Sequence, residues 1–196
     1  LQTTSRQTTL FDRNEEHPLT IDCEHTQFMP GMTCIAVYDQ ETGEPRSSTR
    51  ADLAEITRLS DGLPNIDAVC ISVKNVAEST LFGEIDEFVC MMENTTKPLE
   101  YLCEYPVSLE AVIEIATALR GSAHTLKEKP YFLHLVTPLP VQFGRIHIDQ
   151  VLAAVRAGVP VGVGTLAIGG ASAPITLAGC LTHCLMTDFT AIVLGQ

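Results

Sequence analysis

The residues able to do chemistry fall into a few groups. Cys180, His183 and Cys184 share one face at helical spacing, an arrangement in which two thiolates and an imidazole can converge on a soft metal. No fourth ligand is evident and the surroundings are apolar, so core thiols beside a buried or capping histidine are the favoured reading, with no metal expected. His134 stands inside the apolar run Tyr131–Thr137, where an imidazole must find a partner or face a cavity. Strand alternation sets His134 with Phe132 and Val136, and Leu133, Leu135 and Thr137 on the other face. A satisfied core histidine and a histidine in a site both fit that position. Thr137 closes the same run at its carboxyl end, and Glu104, Lys74–Asn75 and Asp39 follow three other apolar runs in the same way. Asp39 and Glu104 can be drawn as an acid–base pair, but each also reads as a solvated loop charge. Tyr38 and Tyr105 are aromatics at equivalent ends, suited to a cationic ligand or to packing under loops. The stretch Gly162-x-Gly164-x4-Gly169-Gly170 lacks the order of a dinucleotide fingerprint. Its loop, Gly169-Gly170-Ala171-Ser172, either turns the chain tightly or brings backbone N–H groups toward a bound group at a helix start. No G-x-S-x-G elbow and no Walker sequence occur.

The elements that must hold these residues repeat. Near-continuous apolar runs at Cys34–Tyr38, Asp67–Val73, Pro98–Cys103, Tyr131–Thr137 and Val159–Leu166 predict five strands buried on both faces. Helical stripes lie between and after them. Thr49 with Asp52 forms a capping box ahead of Leu53, Ile56, Leu59 and Leu63, and Gly62-Leu63-Pro64 ends that helix. A second helix covers Thr80–Met92, and a third, capped by Ser108, buries Leu109, Val112, Ile113, Ala116 and Leu119 before Gly121. A fourth carries Ile148, Val151, Leu152 and Val155 up to Gly158, and a long, nearly uncharged helix spans Ile175–Val193. Strand–helix units of about 30 residues imply parallel crossovers. Two closures follow: an open five-stranded α/β sheet, or a partial (β/α) barrel of the TIM type. Residues 1–32 are expected to form a separate extended segment with small strands at Thr8–Phe11, Leu19–Asp22 and Thr26–Met29, and residues 33–196 the repeat domain.

Composition excludes several classes. Twelve basic against 24 acidic residues give a net charge of −12, the wrong sign for a phosphate-backbone binder, so no nucleic acid is expected. At 45% hydrophobic and 18% charged the 196-residue chain is globular. The seven cysteines, an odd number mostly within apolar runs, read as free thiols in a reducing compartment. The first residues lack the pattern of a secretory leader and no uninterrupted apolar span of membrane length is seen, so a cytoplasmic location without membrane insertion is expected. The first residue is Leu, which reads as a processed chain or an internal segment.

Taken in order, several segments resemble the trimethylamine methyltransferase family, including its members that act on glycine betaine and lack pyrrolysine. They are Thr49-x-x-Asp52-x-Ala54 through Arg58-Leu59-Ser60-Asp61-Gly62-Leu63-Pro64-Asn65-Ile66-Asp67, then Glu93-Asn94-Thr95-Thr96-Lys97-Pro98, Val136-Thr137-Pro138-Leu139, and Ala167-Ile168-Gly169-Gly170-Ala171-Ser172-Ala173-Pro174-Ile175-Thr176-Leu177-Ala178-Gly179. The resemblance runs from about residue 30 to the end, with Phe11-Asp12-Arg13 a fainter upstream echo. It implies a TIM barrel of which this chain would be about five of eight units, inactive by itself. The implied reaction moves a methyl group from a methylamine or quaternary amine to the cobalt of a corrinoid (cobalamin) carried by a separate protein. None of the residues maps onto a known catalytic role of the family. The candidates for contact with the amine are Glu104, His134, Thr137, Gly169, Gly170, Ala171 and Ser172. The exposed apolar helix near the end implies a homo-oligomer. A noncatalytic interaction module with an open five-stranded α/β fold is the alternative of a different class.

Overall fold

A computed structural model describes residues 5–196; the first four residues of the expected 1–32 segment lie outside the described residues. Strands β1 (Thr8–Phe11) and β2 (Pro18–Ile21) form an antiparallel hairpin, and β3 (Ala36–Tyr38) pairs antiparallel with β4 (Pro45–Ser47). Strands β5 (Val69–Cys70), β6 (Leu99–Tyr101), β7 (Phe132–Val136) and β8 (Val161–Val163) form one parallel sheet in sequential order. Between and after them lie α1 (Arg50–Gly62), α2 (Leu81–Asn94), α3 (Pro106–Arg120), α4 (Ala123–Glu128), α5 (Arg145–Ala157) and α6 (Leu177–Leu194).

The expected fifth parallel strand does not form over Cys34–Tyr38. Cys34 makes one parallel bridge to Val73, with the Cys34 amide donating to the Ser72 carbonyl and the Lys74 amide to the Cys34 carbonyl. The chain then leaves the sheet. Asp39 Oδ1 accepts from the amides of Glu41 and Thr42, and Gly43 takes φ +72°, a left-handed position that glycine adopts without a Cβ penalty. That turn folds Ala36–Tyr38 back onto Pro45–Ser47 as a hairpin, so the parallel sheet has four strands.

The sheet's two faces differ, and the alternation along β7 shows it. Phe132, His134 and Val136 are buried, whereas Leu133 and Leu135 are half-buried. On the buried face, Phe88 of α2 meets Tyr101, Phe132 and Tyr131 edge-on at centroid distances of 5.2, 5.4 and 6.5 Å. Leu99, Leu109, Val112, Met91 and Leu126 complete this core. Neighbouring helices α1–α2, α2–α3, α3–α5 and α5–α6 pack on one another in turn. On the opposite face Gly162 of β8 packs under Leu133 and Leu135; a Cβ there would lie 2.8 Å from Leu133 Cδ2, so that leucine would have to shift. Sequential strand order without reversal, with consecutive helices side by side, is consistent with an arc of a (β/α) barrel.

Helix α3 begins at Pro106 rather than at a Ser108 cap. Proline's fixed φ and missing N–H suit the first helical position, and Ser108 is buried inside the helix with its hydroxyl donating to the Leu81 carbonyl. The N-terminal hairpin is fastened beneath the sheet: the Phe11 amide donates to the Pro130 carbonyl and the Arg13 amide to that of Thr96. Helix α6 is 18 residues long and apolar enough by length and composition to cross a membrane; Leu177, Leu181, Leu185, Met186, Phe189 and Val193 are all exposed on it.

Candidate functional site

The carboxyl ends of β6 and β7 and the start of α5 enclose a cleft of about 520 Å³ lined by Glu104, Thr137, Arg145, His147 and Gln150, among others. Parallel pairing explains why two of the sequence candidates meet there. Glu100 is in register with Leu133 and Tyr101 with His134, so the chain leaves both strands at one end of the sheet. Glu104 and Thr137 are exposed at that end.

Glu104 is held by its own backbone. Its amide donates to Glu84 Oε1 at 2.7 Å, and the Tyr105 amide to Glu84 Oε2 at 3.3 Å. One turn along α2, Glu87 does the same for the end of β5, accepting from the Asn75 amide at 2.8 Å and from Lys74 Nζ at 2.9 Å. Both carboxylates are buried, and residues three apart lie on one side of a helix.

His134 lies beneath the cleft on the helix-facing side of β7, fully buried, beside the Tyr101 backbone and the Gln150 side chain. Burial pushes its pKa down to about 4, so the ring is neutral near pH 7. The Gln150 side chain, buried on α5, donates to the Cys103 carbonyl at 2.9 Å, and burial pushes the Cys103 thiol up to about 12. Glu100, also buried, is raised above the usual carboxylate range by desolvation.

Gly169, Gly170, Ala171 and Ser172 lie in an exposed loop after β8, outside the lining of this cleft. The loop closes on itself: the Ile168 carbonyl accepts from the amides of Ala171, Ser172 and Ala173, and the Gly170 amide donates to the Ala173 carbonyl. The Ser172 hydroxyl accepts from the Ile168 amide and donates to the Leu166 carbonyl. Gly170 sits at φ +81°.

Sequence reasoning did not single out Glu84, Arg145, His147 or Gln150. Gln150 carried a readable signal, a polar residue on the stripe that buries Val151 and Ala154. Arg145 and His147 follow Gly144, which is the cap of α5, whereas the periodicity alone starts that helix nearer Ile148. Among the described residues no group of three His, Cys, Asp or Glu side chains is placed to hold a metal ion.

The family model described as trimethylamine methyltransferase (MTTB) matches residues 1–196. The chain belongs to the trimethylamine methyltransferase family. This family member is 28% identical over 188 residues to a trimethylamine methyltransferase MttB of Desulfitobacterium hafniense (strain DSM 10664 / DCB-2), covering 95% of this chain and 38% of that protein. It is 26% identical over 179 residues to a glycine betaine methyltransferase of Desulfitobacterium hafniense (strain Y51), with 89% and 36% covered. Against trimethylamine methyltransferase MttB of Methanosarcina barkeri the identity is 28% over 153 residues, with 76% and 31% covered. The chain thus spans between about three tenths and two fifths of the length of these three relatives.

Proposed function

We propose that the full-length protein carrying this chain transfers a methyl group from a methylated amine, trimethylamine or a betaine-like quaternary ammonium, to a corrinoid bound on a separate protein. The observation that carries this reading is the family match over all 196 residues. We further propose that the four-stranded arc continues into a full TIM barrel, that the apolar face of α6 packs within that larger body, and that the protein works in the cytoplasm.

The corrinoid, as methyl acceptor, supplies a strongly nucleophilic reduced cobalt when its protein docks. The donor loses its positive charge as the methyl leaves, and a neutral amine departs. A carboxylate facing the donor therefore favours the charged ground state over the neutral product. Its contribution is to binding, to discrimination for cations and to release of the product, rather than to lowering the barrier. In this reading Glu104 meets the ammonium head and Thr137 contributes a hydroxyl on the next strand end, whereas the self-bonded loop Gly169–Ser172 lies outside this cleft. His134 acts from below as a neutral, packed ring. Arg145, at the uncapped start of α5, suits a carboxylate such as that of a betaine. Holding the methyl in line with the acceptor and excluding water are the remaining tasks of the mouth.

The test is methyl transfer by the full-length protein to added corrinoid protein, followed by the absorbance change of the cobalt. Trimethylamine, glycine betaine and a dimethylated amine are each offered as donor. Methylation with one of them is expected. No methylation with any donor, while a corrinoid protein still binds, would favour the interaction-module reading.

A further inference from the structure

We propose that Glu84 is a positioning residue of this mouth. Its buried carboxylate fixes Glu104 through the backbone, and it leaves a negative charge beside the strand end that selects a cationic methyl donor. The inference rests on the methyl-transfer reading for the identity of the donor and on geometry for everything else.

Glu84 lies in the first turn of α2, only 5% exposed, yet its side chain faces no lysine or arginine among the described ion pairs. Both of its oxygens are instead committed to successive backbone amides: Oε1 to Glu104 and Oε2 to Tyr105. Those are the second and third residues after Leu102, where the chain leaves the core and enters the cleft lining. The backbone of Glu84 is itself anchored from below, because the Tyr101 phenol donates to the Glu84 carbonyl at 3.2 Å and Tyr101 is fully buried. The path from β6 through Tyr101 to α2 and back through Glu84 to Glu104 is a closed loop of contacts. An ionised carboxylate accepting two N–H bonds holds them more strongly than a neutral acceptor does.

Glu87 performs the same backbone clamp one strand earlier, at Asn75, but Lys74 neutralises its charge at 2.9 Å. Among the described residues Glu84 has no ion-pair partner; Lys74 reaches the β6 end only through its field on Cys103 while its ammonium stays paired with Glu87. The two neighbouring strand ends are therefore built alike mechanically and differ electrically, and the excess negative charge sits where Glu104 lines the cleft. A buried charge in low-dielectric surroundings acts over a longer range than a solvated one. Glu84 does not touch the donor; it acts through Glu104 and through its field.

The test uses the full-length protein with Glu84→Gln and Glu84→Ala. Gln keeps the volume and one acceptor oxygen but removes the charge, so it survives where Ala unfolds. Hydrogen exchange at the Glu104 and Tyr105 amides is read first, and about a tenfold or larger acceleration is expected in Glu84→Gln. This readout involves no substrate, so it stands whether or not the methyl-transfer reading does. Affinity for tetramethylammonium, a non-reacting cationic probe, is then expected to fall about tenfold, and the KM for the methyl donor to rise similarly with kcat changed less than about threefold. Unchanged exchange at both amides would overturn the clamp. Unchanged tetramethylammonium affinity with accelerated exchange would overturn the selection of a cation. A wild-type protein that binds tetramethylammonium but transfers no methyl group would instead count against the proposed function alone.

Discussion

Arg46 and Asp52 meet fork to fork, Nη1 on Oδ2 at 2.8 Å and Nη2 on Oδ1 at 2.6 Å. Arg46 belongs to the β3–β4 hairpin and Asp52 to the first turn of α1, so this pair fastens the hairpin to the helix start. Asp52 also closes the capping box, accepting from the Thr49 amide at 2.9 Å while the Thr49 hydroxyl accepts from the Asp52 amide.

The Arg46 guanidinium holds the Asp52 carboxyl far below the usual carboxylate range, aided by Thr49. A depressed pKa stabilises the fold above the unfolded value, about 3.9, and that contribution is lost as pH falls below it. Asp52→Asn is expected to cost about 1–2 kcal/mol at neutral pH. The gap to wild type should narrow steadily below about pH 4. Urea unfolding at a series of pH values checks both, and a gap independent of pH would rule out the ionised pair as its source.

A second expectation concerns Arg120, the last residue of α3. Its guanidinium donates to the carbonyls of Lys129, Phe11 and Asp12 at 2.9, 3.0 and 2.9 Å and lies 5.5 Å over the Tyr131 ring. Removing it orphans several part-buried carbonyls and frees the N-terminal hairpin from the base of the sheet. Arg120→Ala should destabilise by about 3 kcal/mol, with Arg120→Lys recovering only part because an ammonium cannot span that set. Hydrogen exchange across Thr8–Ile21 should rise in parallel, and an unchanged hairpin would show that the clamp is not what holds it.

These two residues show what the sequence made legible. The capping box at Thr49 and Asp52, the stops at Gly121 and Gly158 and the four parallel strands all follow from local rules: side chain to backbone bonding, glycine at positive φ and continuous apolar runs. Arg120 and Glu84 do not. Each gains its role from backbone atoms distant in the chain, up to 109 positions away for Arg120 and Phe11. Periodicity carries no such information. The β3–β4 hairpin was missed for a different reason. An apolar run followed by a turn is the same text whether the chain next pairs with itself or begins a crossover, and the Asp39–Gly43 turn decides in favour of pairing. The site divided likewise. Glu104 and Thr137 were readable as residues following strands, whereas Gln150 and His147 needed the packing of α5 to bring them to the same cleft.

His134 yields a pH-dependent expectation of opposite origin to that of Asp52. Burial lowers its pKa to about 4, so between that value and about 6.5 the unfolded chain binds a proton that the folded chain refuses. Stability then rises with pH through this window and is full above it, with a slope of at most about 1.4 kcal/mol per pH unit. His134→Phe should remove the slope. At pH 7 it should cost about 1 kcal/mol, because a phenyl ring cannot replace the interactions of the imidazole with the Tyr101 backbone and the Gln150 side chain. Retention of the slope in this variant would assign it to another group.

Val141 occupies φ +58°, a left-handed conformation that a β-branched residue adopts at a cost. The loop holding it is tied to α6, since the Val141 amide donates at 2.8 Å to the buried Thr187 hydroxyl, which itself donates to the His183 carbonyl. The side chain of Val141 is about half exposed, so little apolar burial is lost on truncation. Val141→Gly should therefore stabilise the fold by about 0.5–1 kcal/mol, the relief of strain exceeding the added entropy of the unfolded chain. Thr187→Val takes away the acceptor and should cost about 1–2 kcal/mol in wild type. In the Val141→Gly background the cost of Thr187→Val should shrink, because an unstrained loop no longer depends on that bond to hold it. Urea unfolding of the two single variants and the double variant measures the coupling. Strict additivity would mean that the bond and the strained turn are energetically independent.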